Sequence, residues 1–130
     1  MSHQGNIKVR WTNHRGELKS ILFTTCRFSG ASTPELVQKV LESVVGLDRP
    51  WDDLTRALSH AACIDRPIVD IGNEDVPTVT VDFNKRSVYW IWEVHPCLRG
   101  IGTWTFSEYT SPEFFNDARI KDLMEQHFNQ

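Results

Sequence analysis

The sequence predicts an α+β domain, a mostly antiparallel sheet of about five or six strands with three helices packed against it. Two observations lead to this fold class. Several short segments alternate apolar and polar residues with a period of two, as half-buried strands do. Three other segments open with Pro and acidic residues and continue with apolar residues three or four positions apart, which is typical of amphipathic helices.

Length and composition are those of one globular domain, which we assign to residues 1–130. The chain has 130 residues, of which 40% are hydrophobic and 24% charged, enough to build a single core. No apolar run approaches the roughly 18 residues that cross a bilayer. The first six residues lack a secretory signal pattern, and the three Cys form no disulfide framework. We therefore expect a soluble, cytoplasmic protein without membrane contact.

The N-terminal region predicts a β-hairpin. Ile7, Val9 and Trp11 alternate with polar residues, residues 13–16 form a turn, and a second strand follows around 18–26. Lys8 and Arg10 give the hairpin a positive outer face, and Arg15 lies at its tip.

Two helices are predicted next. Ser32-Thr33-Pro34-Glu35 has the spacing of a capping box, and the apolar stripe that follows is closed by Gly46. The second helix opens at Pro50 ahead of two Asp residues and ends before Pro67.

Beyond Pro67 the apolar period returns to two and predicts an antiparallel meander. A closing helix begins near Thr110-Ser111-Pro112-Glu113. The segments between these points are, in order, strands at 68–71, 78–83 and 87–94, a loop at 95–102, and a strand at 103–109.

The strand at 87–94 is apolar on both sides. Trp90 and Trp92 share one face, whereas Tyr89, Ile91 and Glu93 share the other. Such a strand is either covered by helices on both faces or leaves one face bare, and the alternation alone does not decide between them. A bare face would make Tyr89 and Ile91, with Tyr109, available as anchors for a partner protein.

Two pairs of potential metal ligands are present, His60-x-x-Cys63 and His95-x-Cys97. Together they could supply the four nitrogen and sulfur ligands of a zinc ion. The paired-Cys spacings of common zinc modules are absent, however, and small residues next to His60 and Cys63 suit a packed helix. We predict neither a metal nor another cofactor.

An enzymatic or small-molecule site is the first alternative function. Tyr89, Glu93, His95 and Cys97 could line a pocket for acid–base or nucleophilic chemistry. No recognisable catalytic signature surrounds them, so no catalytic residue is assigned. The alternative predicts that these four side chains converge on a cavity.

Nucleic-acid binding through the basic hairpin is the second alternative. Residues 50–130 hold seven basic and thirteen acidic side chains, and this acidic remainder would repel a polyanion. We therefore expect no nucleic acid among the partners.

The favoured hypothesis is a non-enzymatic protein-binding module that inhibits another protein. Small, mildly acidic, aromatic-rich domains are typical of immunity proteins and of phage inhibitors of host defence, an analogy of type rather than of sequence. Another protein is the expected partner, with a homo-oligomer left open. The predicted contact residues are Tyr89, Ile91, Glu93, Arg99 and Tyr109.

Overall fold

The computed structural model describes residues 5–25, 33–60, 63–66, 76–94 and 97–128. In these ranges six strands form one sheet and four α-helices accompany it. The strands are β1 Asn6–Thr12, β2 Leu18–Thr25, β3 Cys63–Arg66, β4 Thr78–Asp82, β5 Ser87–Val94 and β6 Cys97–Thr105. The helices are α1 Thr33–Val44, α2 Pro50–His60, α3 Phe106–Tyr109 and α4 Ala118–His127, with a 3-10 turn at Phe114–Asn116.

The sheet has the order β3-β2-β1-β4-β5-β6 and is mostly antiparallel, as predicted. β1 and β2 form the expected hairpin, and β4, β5 and β6 form the expected meander. The exception is the parallel pair of β1 and β4, in which Val9 lies beside Val81. A parallel neighbour needs a crossover connection, and α1 and α2 lie in the chain between these two strands.

The hydrophobic core lies between one face of the sheet and the helices. Strand residues and helix residues of this cluster are almost completely buried, which confirms the α+β class. The strands contribute Ile7, Val9, Phe23, Val79, Val81, Val88 and Trp90. The helices and the segments next to them contribute Val37, Leu41, Val44, Leu54, Leu58, Phe106, Tyr109, Phe114, Ile120, Met124 and Phe128.

The region after α2 differs from the prediction. The helix ends at His60, and residues 63–66 form β3, antiparallel to β2, instead of continuing the helix toward Pro67. The edge of β2 offers backbone hydrogen-bonding groups to residues 63–66. The local sequence pattern does not indicate this pairing, so the tertiary structure determines that the segment is a strand. The predicted strand at 68–71 and the capping residue Ser32 lie outside the described residues.

The predicted loop at 95–102 was wrong for its second part, because β6 begins at Cys97. Two glycines suggested a turn, yet both lie within the strand. At Gly102 a Cβ atom would come within 2.6 Å of the Trp104 ring, so glycine lets this ring lie against the backbone. A register shift between Trp90 and Ile91 marks a bulge at the same place.

The predicted strand at 103–109 ends early, at Thr105. The Thr105 hydroxyl accepts a hydrogen bond from the Glu108 backbone, and the Glu108 carboxylate accepts one from the Thr105 backbone. This capping box starts α3, a short helix that was not predicted and that raises the number of helices from the predicted three to four. Phe106 and Tyr109 are consequently buried helix residues rather than strand residues.

No helix among the described residues is both long enough and apolar enough to span a membrane.

Candidate functional site: the open face of the sheet

The apolar residues that the described helices bury all join the core on one side of the sheet. We call the other side, centred on β1, β4 and β5, the open face because none of the described helices packs on it, although Asn6, Thr78, Thr80 and Asp82 on this side are buried. Period-two alternation and the strand registers place these residues on it: Asn6, Lys8, Arg10, Thr78, Thr80, Asp82, Ser87, Tyr89, Ile91 and Glu93.

Two side-chain contacts cross the open face from β1 to β5. The Lys8 ammonium donates to both carboxylate oxygens of Glu93, at 3.1 and 3.0 Å. The Arg10 guanidinium donates to the Tyr89 hydroxyl at 3.3 Å. Because β4 lies between these strands, both contacts pass over it and link residues that are 79 to 85 positions apart in the chain.

Small β4 residues make this crossing possible. Thr78 and Thr80 are 3% and 0% exposed although no described helix lies on their side of the sheet. The register sets Thr80 between Lys8 and Tyr89, where a short side chain leaves room for the longer ones. The Thr80 hydroxyl is buried and has no hydrogen-bond partner among the described residues.

The charged groups of the open face are already paired. Lys8 and Glu93 are each 22% exposed, so water still screens this ion pair and limits its contribution to about 1 kcal/mol at most. The hydrogen bond to Tyr89 raises the pKa of Arg10, against an opposing effect of burial; the nearby Asp82 and Glu93 charges raise it further. Arg10 therefore keeps its charge while it holds the tyrosine.

Apolar surface lies next to these pairs. Tyr89 and Ile91 are half-buried, and Leu98, which pairs with Glu93 across β5 and β6, is 72% exposed. Leu98 falls in the predicted loop at 95–102 and was therefore not among the predicted contact residues. The signal that could have found it is an apolar residue beside a strand that is already apolar on both sides.

Arg99 does not lie with the other predicted contact residues. It pairs with Trp92, on the side of the sheet that the helices cover. Its guanidinium lies 5.9 Å from the centre of the Trp92 ring, and the Trp92 indole N–H donates to His127 Nδ1 at 3.1 Å. Arg99 and His127 thus belong to the end of α4 rather than to the open face.

Tyr109 is a core residue and was wrongly predicted as an exposed anchor. Its side chain is fully buried, and its hydroxyl donates to the Pro34 carbonyl at 2.8 Å and accepts from the Trp90 indole at 3.3 Å. Burial raises the pKa of Tyr109 far above its ordinary value, so the phenol stays protonated. The error follows from assigning Tyr109 to a strand instead of to α3.

The described part of the chain does not bring the candidate metal ligands together. His60 is the last residue of α2 whereas Cys63 begins β3, so these two do not share a helical face. His95 lies outside the described residues. In the described ranges, no three His, Cys, Asp or Glu residues are grouped so as to hold a metal ion.

The enzymatic alternative loses part of its geometry. Tyr89 and Glu93 share the open face, but the register pairs Cys97 with Val94, one position out of phase with Glu93. Cys97 is an exposed free thiol on the other side of the sheet. Cys97 therefore lies on the opposite side of the sheet from Tyr89 and Glu93, whereas His95 lies outside the described residues.

The basic hairpin is less available for phosphate binding than its sequence indicates. Lys8 is paired with Glu93, and Lys19 lies 3.6 Å from Glu17. Arg15 remains exposed at the tip. Trp11 packs against the core, as expected from its alternation with Ile7 and Val9.

Comparison with known proteins adds no relative: no family description, curated protein or solved structure matches this chain.

Proposed function

We propose that this chain is a non-enzymatic protein-binding module that inhibits a partner protein and contacts it through the open face. The class of inhibitor that we propose is that of immunity proteins or of host-defence inhibitors. The observation that supports this most is the set of crossed contacts, Lys8 with Glu93 and Arg10 with Tyr89, on a face that no described helix covers.

The pairing of these groups favours a protein over a nucleic acid as the partner. A polar group that already has a partner loses less on being covered than one that depends on water. Lys8 and Arg10 are thus prepared for burial in an interface, whereas phosphate binding would require Lys8 to leave Glu93. Tyr89, Ile91 and Leu98 add the aromatic and aliphatic area that interface centres use.

Charge suggests what this partner presents. The Lys8–Glu93 pair is neutral, and the Asp82 carboxylate accepts from the backbone of Asn84 and Lys85. Arg10 donates to the Tyr89 hydroxyl, and no carboxylate of the described residues lies within 4.0 Å of its guanidinium. An acidic side chain of the partner, placed against Arg10, would form a charge-assisted hydrogen bond with this guanidinium.

The test compares two arginines on opposite sides of the sheet. A partner captured from the native host is purified, and its affinity is measured by calorimetry for the wild type, Tyr89→Ala, Arg10→Gln and Arg99→Gln. We expect Tyr89→Ala and Arg10→Gln to weaken binding at least about tenfold, roughly 1.4 kcal/mol. Arg99→Gln removes an equal charge from the other side and should leave the affinity unchanged.

Two results would contradict the proposal. Equal losses from Arg10→Gln and Arg99→Gln would show that only net charge matters. Turnover of the partner or of a small molecule by the purified chain would replace inhibition with enzymatic activity.

A further inference from the structure

A second surface, on the helix side of the sheet, is a groove of about 410 Å³ between the end of β6, the 3-10 turn and α4. Its apolar lining comes from Trp104, Phe114, Ile120 and Leu123. Phe114 and Ile120 are buried at 7% and 6% exposure, whereas Trp104 and Leu123 are half-buried and present ring and aliphatic surface. This volume is within the range of about 300–1,000 Å³ that is typical of ligand-binding clefts.

Carboxylates dominate the charge of this groove. Glu108, Glu113 and Asp117 line it, against a single arginine, Arg119. That guanidinium is 92% exposed and lies 3.8 Å from Asp117, so it offsets only one of the three charges. The groove therefore combines an apolar floor with a net negative rim.

The three carboxylates are held in place by short contacts within the chain. Glu108 accepts from the Thr105 backbone at 2.9 Å, and hydrogen bonds from Thr105, the backbone one first, lower the pKa of Glu108. Glu113 accepts from the Asn116 amide at 3.1 Å, and Asp117 accepts from the Arg119 backbone at 2.8 Å. A carboxylate has about four acceptor positions, so each retains capacity for an incoming donor.

We propose that this groove binds a protein segment in which a Lys or Arg side chain stands next to an apolar residue. The apolar stem of such a side chain lies along Trp104 and Leu123, while its charged end reaches the carboxylates of the rim. A cation beside the Trp104 ring gains a cation–π contact as well. The negative rim repels phosphate groups. Among the described residues no three carboxylates, His or Cys are close enough together to hold a metal ion, which favours a long cationic side chain as the ligand.

This site is independent of the open face, because Trp104 pairs with Val88 on the side of the sheet that carries the core. If the proposed function of the open face is contradicted, the proposal for the groove is unaffected, and the reverse also holds. The two surfaces could be occupied together by different parts of a partner or by different partners.

The probe for the test is a blocked hexapeptide with two arginines separated by a leucine. The control peptide carries citrulline in place of both arginines, which keeps the shape and removes the charge. Binding is followed in ¹⁵N NMR spectra through the indole N–H signals, and the Trp104→Phe variant identifies the Trp104 signal. We expect the arginine peptide to shift this signal in a saturable way and the citrulline peptide to bind at least about tenfold more weakly.

Matched variants separate the groove from general charge effects. Glu113→Lys reverses a charge of the rim and should weaken the arginine peptide about tenfold. Asp48→Lys reverses an exposed carboxylate outside the groove and should leave binding unchanged. Arg119→Gln removes the opposing cation and should tighten binding about twofold.

The proposal is overturned if the citrulline peptide binds as tightly as the arginine peptide, if Asp48→Lys weakens binding as much as Glu113→Lys, or if the Trp104 signal does not move at millimolar peptide. Circular dichroism of each variant confirms that it is folded before its affinity is interpreted.

Discussion

The two sides of β5 have opposite environments although they alternate along one strand. On the core side, Val88 and Trp90 are fully buried. The Trp90 ring lies 4.6 Å from Trp104 and 5.1 Å from Phe128, measured between ring centres. On the open face, Tyr89 and Glu93 are half-buried, and each is bonded to one side chain of β1, Arg10 and Lys8 respectively.

This difference leads us to expect that the core side of β5 contributes mainly to stability, whereas the open face carries the proposed partner contact. Buried aromatic contacts are close-packed and change the free energy of unfolding when an atom is removed. Paired polar groups at a half-exposed surface contribute little to folding and remain available for a partner. Mutations on the two sides should therefore separate stability from binding.

The largest expected effect comes from Trp90. Trp90→Ala removes the ring at the centre of the aromatic cluster and should lower the free energy of unfolding by about 3–5 kcal/mol. Urea denaturation followed by circular dichroism measures it. Tyr89→Ala is the matched change on the open face and should cost about 1 kcal/mol or less. Similar losses from both would contradict the assigned difference between the two sides.

A smaller core effect is expected from Tyr109→Phe. The variant keeps the ring but leaves the buried Pro34 carbonyl without its donor and the Trp90 indole without its acceptor. A cost of about 1–3 kcal/mol in unfolding free energy follows. The same denaturation experiment checks it, and an unchanged midpoint would show that these hydrogen bonds contribute nothing.

The open face should show weaker coupling. A double-mutant cycle of Lys8→Met and Glu93→Gln isolates the ion pair, which we expect to contribute about 0.2–1 kcal/mol and less in high salt. Urea denaturation at low and high sodium chloride measures both effects. A coupling of several kcal/mol would place the pair among the structural interactions of the core.

The smallest effect is a pH dependence at the end of α4. Burial, followed by the Arg99 charge, lowers the pKa of His127 below its unfolded value of 6.5. The unfolded chain then binds the proton better, so stability falls as the pH decreases through 6.5 toward the folded pKa. Protonation also removes the acceptor for the Trp92 indole.

We expect His127→Gln to lose part of this acid sensitivity between pH 7.5 and 5.5 when unfolding midpoints are compared with the wild type. His14→Gln, at the exposed hairpin turn, is the control and should behave as the wild type. If both variants retain the full pH dependence, His127 is not its source.

Local sequence patterns were sufficient to predict the class of the fold and most of its elements. Alternation at Ile7, Val9 and Trp11 placed β1 and its inner side, and the apolar stripe after Pro34 placed α1. The same alternation separated Tyr89, Ile91 and Glu93 from Trp90. These signals are local, because side-chain direction repeats with a fixed period in a strand or a helix.

The side of β5 on which the described helices pack, and the residues that meet across the sheet, depend on the tertiary structure. The parallel pairing of β1 with β4 brings Lys8 to Glu93 and Arg10 to Tyr89, although each pair is about eighty positions apart in the chain. Contacts between distant segments also bury Tyr109 against Pro34 and Trp90, and pair residues 63–66 with β2. Pairing partners and burial depend on distant parts of the chain, and a local pattern carries no information about them.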